Sequence, residues 1–349
     1  MAENFFTTLK KETPTRLWIN NPTVQEVKLS IDHGAVSCTT NPTYGANMIR
    51  RDGEFARAVI RECLKQSNDN SMVADLTQQR LVTRVLEMFR PIYEASKGKD
   101  GHVSIQGDPR ADTDPDHIVG EAFRYRSLGP NFIAKIPATA AGLKAMEVLI
   151  EDGMPVIATE VFGLSQTIAT CEMYRRAVAV GGKRPVFYVT HITGIFDEHL
   201  KEYAEKQGIE IAPEVLAVAG ATVARRQYRI MKERGYDGIL LGGGARGTHH
   251  FTDFVGGEVH ITINWSTAEE ILALNPPVTN RIAIETPRGV IAELEKKLPD
   301  FRKAWREGEL GVEEFAEYSP VQRFRNQFIH GWTQMLDTIK EERAKGTDR

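Results

Sequence analysis

One lysine within an apolar strand pattern is the residue of this sequence best suited to covalent chemistry. Lys135 lies in the segment 131–137, NFIAKIP, whose other members are nearly all apolar. An unpaired ammonium group is costly in such surroundings. Burial lowers the pKa of a lysine, which frees the amine to attack a carbonyl carbon. The segment alone also allows a second interpretation, in which Lys135 extends to the rim and pairs with a carboxylate.

Other polar side chains stand at the ends of predicted strands. They are Asn20, Asn41, Gln106, Thr159, Thr190, Arg246 and Asn264. Active sites of α/β barrels are built at the C-terminal ends of the strands, so these residues are candidates for one site with Lys135. Arg246 follows the glycines 242–244, whose backbone N–H groups are able to approach an anion.

Eight short apolar runs, separated by amphipathic stretches, predict the architecture that positions these residues. The predicted strands are Leu17–Asn20, Val36–Asn41, Val103–Gln106, Phe132–Pro137, Val156–Val161, Val186–Ile192, Gly238–Gly242 and His260–Asn264. Helices are predicted at Gly142–Ile150, Gln166–Val180 and Glu214–Gly235, and two or three more fit between the second and third strands. Strand–helix alternation indicates parallel strands, and eight repeats favour a closed (β/α)8 TIM barrel over an open sheet.

The length of 349 residues fits one such barrel with additional terminal helices. We therefore predict a single domain over residues 1–349, although two ordinary domains would also fit. Its strands occupy about residues 16–265. The C-terminal part, residues 266–349, is predicted to form helices that pack outside the barrel or over its rim.

Composition and charge argue against several classes of protein. A formal charge of −3 and a pI near 6.3 give no electrostatic case for binding nucleic acid or an anionic membrane. No run of about 18 apolar residues is present, and the first sixteen residues lack a signal-type apolar core. The three cysteines form no CxxC pair, which favours a reducing, cytoplasmic location without a zinc ribbon or disulfide framework. Homo-oligomer formation stays open.

Three motifs resemble the transaldolase/fructose-6-phosphate aldolase superfamily. Residues 37–43, SCTTNPT, resemble its T-T-N-P-S signature, and residues 103–110, VSIQGDPR, are similar to its third-strand V-S-x-E-V-D-x-R. Residues 135–139, KIPAT, resemble the segment that carries the family's Schiff-base lysine. The run 221–246 is similar as well. Since the resemblance extends over roughly residues 16–275, the chain is identified as a member of this superfamily.

The resemblance implies a mechanism for Lys135. In the family, the lysine amine attacks a ketose carbonyl and gives an iminium, and the adjacent carbon–carbon bond breaks or forms through an enamine. Transaldolases pass the three-carbon enamine to an aldehyde acceptor, whereas aldolases of the family protonate it. The implied partner is a small-molecule sugar or sugar phosphate, and no metal or organic cofactor is implied.

Two carboxylates of the family are amides in this chain. The family aspartate that takes the hydroxyl proton during cleavage is matched by Asn20, and the glutamate that works through a water in iminium formation is matched by Gln106. An amide cannot accept and return a proton as a carboxylate does. The aldolase branch also has glutamine at the second position, but it adds a tyrosine where this chain has Ile192.

The remaining family positions are partly kept. The water-holding threonine is matched by Thr159 and the serine of the sixth strand by Thr190, whereas Ile157 replaces an asparagine. Of two phosphate-binding arginines, one is matched by Arg246 and the other by Ile195. We predict catalytic roles for Lys135, Thr159, Gln106 and Asn20, and substrate binding by Asn41, Thr190 and Arg246.

Several other residues are candidates to replace the missing carboxylates and the missing phosphate-binding arginine. Tyr188 has the strand parity of Thr190 and is expected to face the interior. Alternation points Glu160 and His191 outward; we interpret Glu160 as a packing or surface residue and leave a function of His191 open, because strand ends bend. Arg225 and Arg226 are interpreted as residues of an exposed helix face, and the pair 249–250, two histidines, is the other group considered for anion binding.

The function predicted from the sequence is that of a transaldolase-like Schiff-base enzyme acting on a ketose or sugar phosphate. Two alternatives stay open. The first is an aldolase, a lyase, with a non-standard substrate and replaced acid–base groups. The second is a ligand-binding barrel that has lost catalysis.

Overall fold

Eight parallel strands close into a barrel in the computed structural model, which describes residues 4–347. The strands are β1 (Arg16–Asn20), β2 (Ser37–Thr39), β3 (Val103–Ile105), β4 (Phe132–Pro137), β5 (Val156–Val161), β6 (Phe187–Ile192), β7 (Ile239–Gly243) and β8 (Val259–Ile263). Each strand pairs with the next one along the chain, and β8 pairs with β1. The predicted TIM barrel is confirmed, and its strands differ from the predicted ones only at their ends.

Helices follow the strands around the outside of the barrel. They are α1 (Phe5–Glu12), α2 (Val24–Asp32), α3 (Tyr44–Arg51), α4 (Gly53–Leu64), α5 (Asn70–Ala95), α6 (Pro115–Arg126), α7 (Ala140–Glu151), α8 (Leu164–Gly181), α9 (Thr193–Gln207), α10 (Pro213–Leu216), α11 (Ala219–Glu233), α12 (His249–Thr252), α13 (Trp265–Leu274), α14 (Arg288–Lys297), α15 (Pro299–Trp305) and α16 (Ser319–Thr347). Three of them lie between β2 and β3, as predicted. Among the described residues, no helix combines the length and the apolar content that a membrane crossing requires.

One predicted helix is divided in the structure. The segment predicted as Glu214–Gly235 forms α10 and α11, with a turn at Ala217 and Val218 between them. The turn lets the first residues of α11 approach α9 closely: the Gly220 N–H donates to Asp197 Oδ1 at 2.6 Å, and a Cβ on Gly220 would lie 2.4 Å from the Thr193 carbonyl oxygen. The close contact of Gly220 with α9 therefore accounts for the break in a segment whose sequence pattern predicts one continuous helix.

A layer of mostly apolar side chains fills the barrel interior on the N-terminal side of the predicted site. It consists of Trp18, Val36, Ile133, Ile157, Tyr188 and Leu241. Successive side chains of a strand point to opposite faces, so the residue two positions further along returns to the interior. Asn20, Lys135, Thr159, Thr190 and Gly243 stand two residues after five members of this layer. The strand pattern thus places the predicted site directly above the packed interior.

A buried histidine in the same region makes the barrel sensitive to acid. Trp18 Nε1–H donates to His260 Nδ1 at 2.9 Å, which requires a neutral ring, and burial lowers the pKa of His260 to about 3. An unfolded histidine titrates near 6.5. Between these pH values the unfolded chain binds the additional proton, so His260 makes the free energy of unfolding fall as the pH drops below about 6.5.

We expect His260→Gln, whose side-chain oxygen is still able to accept from Trp18, to lose less stability in acid than the native chain. The slopes of the free energy of unfolding against pH should differ between the two proteins by at most about 1.4 kcal/mol per pH unit. Urea unfolding at pH 7.5, 5.5 and 4.5 measures it. Parallel curves for the two proteins would contradict the assignment of the acid sensitivity to His260.

The C-terminal segment is helical, and of its helices α16 packs over the mouth of the barrel. Two glycines permit its close contact with the start of α3. A Cβ on Gly45 would lie 2.2 Å from Met335 Sδ, and one on Gly331 would lie 2.8 Å from Thr43 Cγ2. Phe324 and Phe328 extend from this helix toward the strand ends.

Candidate active site

A cavity of about 220 Å³ lies at the C-terminal ends of the strands. The structure brings five of the seven predicted site residues to its walls: Asn20, Asn41, Lys135, Thr190 and Arg246. The remaining two, Gln106 and Thr159, are buried at neighbouring strand ends without contributing to the walls. The roof comes from α16 through Phe324, Gln327 and Phe328. The predicted residues therefore do gather at one end of the barrel.

The Lys135 amine is buried without an ion pair. Its side chain rises from β4, and the residue is only 7% exposed. Nζ lies 3.5 Å from the Thr40 carbonyl oxygen and 5.7 Å from the centre of the Phe328 ring. Over the described part of the chain no carboxylate oxygen lies within 4.0 Å of Nζ, so the interpretation of a rim lysine paired with a carboxylate is wrong. Burial lowers the pKa of Lys135 to about 8, against a smaller opposing effect of Glu160.

Amide and hydroxyl groups form the polar wall opposite Lys135. Asn20 Nδ2 donates to Asn264 Oδ1 at 2.9 Å, and Thr39 Oγ1 donates to Asn20 Oδ1 at 3.0 Å. Asn41 Oδ1 accepts from the backbone N–H of Thr43 at 3.0 Å and from its hydroxyl at 2.6 Å. This wall is therefore oriented by its own hydrogen bonds and is suited to bind hydroxyl groups of a polyol.

Glu160 is buried beside the site, and the prediction that it points outward is wrong. The register between β5 and β6 shifts between Ala158 and Val161, and Glu160 within this bulge has a φ of +60°. A bulge re-aims side chains, so the alternation assumed from sequence fails here. Glu160 is 1% exposed, and its Oε1 accepts from Gln106 Nε2 at 3.0 Å. Burial, reinforced by Asp112, raises the pKa of Glu160 to about 8.

The bulge is held by one glutamine side chain at the start of α8. Gln166 Nε2 donates to the carbonyl oxygens of Glu160 at 3.0 Å and Ala138 at 3.2 Å, and Gln166 Oε1 accepts from the Phe162 N–H at 2.8 Å. A non-glycine residue with positive φ is strained and persists only where its surroundings fix it. Here the fixed and strained residue is Glu160, next to the site.

Several buried polar atoms at the strand ends have no hydrogen-bond partner among the residues that the structure describes. They are Gln106 Oε1, Thr159 Oγ1, Glu160 Oε2 and Thr190 Oγ1. Buried groups of this kind are normally satisfied by ordered water or a ligand. They come from the ends of three strands, β3, β5 and β6, and together they offer both donors and acceptors to a water or another small polar molecule.

Arg246 reaches the rim of the cavity but is engaged by a carboxylate. Its Nε donates to Glu198 Oε1 at 2.7 Å, and both side chains are 39% exposed. Its backbone N–H donates to His250 Nδ1 at 3.0 Å. The predicted second cationic position is Ile195, which lines the cavity without a charge. An anionic substrate group would thus meet one arginine that is shared with Glu198.

Asp197, His249 and His250 place potential metal ligands within 4.8 Å of one another. His250 Nδ1 accepts from the Arg246 N–H, so Nε2 carries the proton and donates to Asp197 Oδ2 at 2.8 Å. A histidine ligand must offer a free lone pair, and both nitrogens of His250 are occupied. The cluster therefore supports the loop of Arg246 and is not arranged as a metal centre.

The other candidate replacement residues, Tyr188, His191 and Arg225, do not line the cavity. Tyr188 faces the interior as predicted, in edge contact with Trp18 below the site. His191 packs edge-on against Phe196 of α9. The prediction of an exposed Arg225 is wrong, because this residue is 6% exposed and its Nη2 lies 3.2 Å from Asp253 Oδ2.

Two features escaped prediction from sequence. The aromatic pair Phe324 and Phe328 lies one helical turn apart in a charged segment, and that spacing is a usable signal of a buried face. The inward direction of Glu160 has no comparable signal, because a β-bulge leaves no fixed mark in the sequence.

Comparison with known proteins gives consistent matches. The profile of the Transaldolase/Fructose-6-phosphate aldolase family matches residues 17–317. A transaldolase of Saccharopolyspora erythraea is 28% identical over 235 residues, 63% of this chain and 60% of that protein. One from Mycobacterium leprae is 28% identical over 209 residues, 58% of this chain and 56% of that protein. A transaldolase of a Parafrankia species is 25% identical over 351 residues, with 90% of each chain covered. The first two matches thus span less than two thirds of those relatives.

Proposed function

Since the chain belongs to the transaldolase/fructose-6-phosphate aldolase family, we propose that it makes or breaks a carbon–carbon bond in a ketose or sugar phosphate through an iminium on Lys135. The observation that carries this proposal is the buried amine of Lys135, which pairs with no carboxylate of residues 4–347 and whose pKa is lowered to about 8. A useful fraction of this amine is neutral near physiological pH, and neutral amine is the form that attacks a carbonyl.

The covalent bonds of the proposed reaction involve the Lys135 amine and the substrate alone, whereas its proton transfers need acid–base groups. The amine adds to the ketose carbonyl, water leaves, and the resulting iminium accepts the electrons of the bond next to it. Asn20 and Asn41 are placed on the cavity wall to orient the hydroxyl groups of the substrate. Phe328 covers the amine from above and restricts access of water to the enamine. Transfer of the enamine to an aldehyde is the first candidate outcome.

A second candidate is a lyase, and the amide of Gln106 favours it. The aldolase branch of the family resembles this chain at that position, as the sequence comparison of motifs indicates. Such an enzyme would protonate the enamine and release a ketone. Product analysis with and without an aldehyde acceptor distinguishes the two, because only the transferase depends on the acceptor for turnover.

We propose that the substrate carries at most one anionic group at the end that binds near Arg246. Arg246→Ala should raise KM for a phosphorylated ketose about tenfold, because one partly desolvated charge-assisted contact is lost. kcat should change less, since this contact is made equally in ground and transition states. Steady-state kinetics with a ketose and its phosphate ester measure the effect.

The matched variant for this prediction is Glu198→Gln, which releases Arg246 from its ion pair. It should lower KM for the phosphate ester and leave the neutral ketose unaffected. An equal loss of activity toward both substrates in Arg246→Ala, with a lowered melting temperature, would instead assign Arg246 a structural role.

Reductive trapping tests the proposed function directly. Borohydride reduces an iminium to a stable secondary amine. Because water leaves when the iminium forms and reduction adds two hydrogens, incubation with a ketose and borohydride should add the mass of the ketose less one oxygen atom. A panel of ketoses, read by mass spectrometry of the intact protein, then ranks substrates. A protein that binds ketoses without gaining mass would be the ligand-binding barrel.

A further inference from the structure

We propose that the carboxyl group of Glu160 supplies the proton that removes water from the carbinolamine on Lys135, in place of the group that Gln106 does not provide. This inference rests on the proposed function of Lys135 and adds a residue to it. Glu160 lies on β5, whereas the amide that stands in the expected carboxylate position lies at the end of β3.

The position of Glu160 follows from the order of the strands. β4 lies between β3 and β5 in the barrel, and Lys135 is on β4. The hydrogen bond between Gln106 Nε2 and Glu160 Oε1, 3.0 Å long, joins the two outer strands and therefore crosses the end of β4. Both residues are at most 3% exposed. The carboxyl group is thus fixed in the buried interior, close enough to the Lys135 amine for that charge to lower its pKa.

The backbone of Glu160 supports a functional rather than a packing role. The positive φ of this residue is held by Gln166 and costs stability, and an ordinary packing position does not need it. The strain turns a carboxyl group inward at a place where regular alternation would turn it outward. Its Oε1 accepts from Gln106, and Oε2 has no hydrogen-bond partner among the described residues, so this buried oxygen is able to bond a water that bridges it to the substrate.

The proposed step balances in atoms and charge. The neutral Lys135 amine has added to the ketose carbonyl, giving a carbinolamine with one hydroxyl group on the former carbonyl carbon. The protonated carboxyl of Glu160 donates its proton to that hydroxyl, the carbon–oxygen bond breaks, and the nitrogen lone pair forms the carbon–nitrogen double bond. The products are the iminium cation, one water and the Glu160 carboxylate. Hydrolysis of the product iminium returns the proton.

The charged groups around Glu160 agree with this role. Asp112, between β3 and α6, raises the pKa of Glu160 together with burial, whereas Lys135 on β4 and Arg325 on α16 lower it. The balance keeps a protonated carboxyl group available near neutral pH. An acid of this kind contributes about 10²–10⁴-fold when it transfers a proton in the transition state.

Glu160→Gln tests the inference, because it keeps the shape and the contact with Gln106 but removes the acid. The measured quantity is the single-turnover rate of borohydride-trapped adduct with a ketose, recorded from pH 6 to 10. We expect a decrease of about 100-fold. The native rate should rise as Lys135 loses its proton and fall at higher pH as Glu160 loses its own. The variant should keep the rise and lose the fall.

Two further variants separate this role from a structural one. Gln106→Glu added to Glu160→Gln moves the carboxyl group back to β3 and should restore at least a tenth of the native rate. Glu121→Gln removes another buried carboxyl group, one that contacts the Asp108 N–H instead, and should leave the rate unchanged. A Glu160→Gln protein with the native rate and pH profile would overturn the inference, as would a loss that Gln106→Glu does not rescue. Absence of trapping in the native protein itself would instead refute the proposed function.

Discussion

Lys135→Met should abolish borohydride trapping with every ketose and reduce turnover to background. The variant removes the only group proposed to bond covalently to the substrate, and no neighbouring side chain replaces an amine. Lys144→Met provides the matched control, since this exposed lysine lies on α7 outside the barrel mouth. Trapping at full yield in Lys135→Met, mapped by peptide mass analysis to another lysine, would contradict the assignment.

The same variant should be more stable than the native protein. The pKa of Lys135 falls from 10.5 to about 8 on folding, which corresponds to about 3 kcal/mol against the buried ammonium form. Methionine fills a similar volume without a charge. The unfolded chain binds the extra proton between pH 8 and 10.5, so the native protein should approach the variant in stability as the pH rises through that range. Chemical denaturation at pH 7 and pH 10 measures both effects.

Asn20→Asp should increase the rate of carbon–carbon bond cleavage in a ketose phosphate by about 10²-fold or more. The carboxylate restores a group that takes the hydroxyl proton of the substrate, which an amide cannot do. Thr39 is placed to donate to it, and rotation of the Asn264 amide brings a second donor. Asn264→Asp is the matched control, because it puts a carboxylate on the same wall in the neighbouring position. A fall in the native reaction of Asn20→Asp would indicate that the chain has evolved a reaction for which it needs the amide.

Adding Gln106→Glu to Asn20→Asp should bring no further gain. The new carboxyl group would stand within hydrogen-bond reach of Glu160, since Gln106 Nε2 and Glu160 Oε1 are now 3.0 Å apart. Two carboxyl groups at that distance cannot both ionise, and one keeps its proton. A large additional increase would show that Glu160 does not act at this position.

The sequence was sufficient to predict the barrel and the position of most candidate site residues at its C-terminal end, because both depend on periodic patterns. The eight apolar runs predict the strands. Side chains two residues apart on a strand, such as Ile133 and Lys135, face the same side, so this alternation predicts which side chains face the interior at the strand ends. Glu160 could not be placed in this way, since a single inserted residue reverses the parity of all that follow it. The ion pair between Arg246 and Glu198 could not be predicted either. It joins the loop after β7 to α9, and contacts between flexible side chains far apart in the chain have no sequence pattern.

The covering of the barrel mouth by α16 has a consequence for biosynthesis. All eight strands precede this helix in the chain, so they leave a translating ribosome before Phe324 and Phe328 do. If the strands close before α16 docks, we expect water to reach the Lys135 amine and its pKa to stay closer to that of a free lysine. Docking of α16 would then exclude this water and lower the pKa. If Lys135 acts as proposed, the order of elements along the chain would delay its full reactivity until α16 has been synthesised.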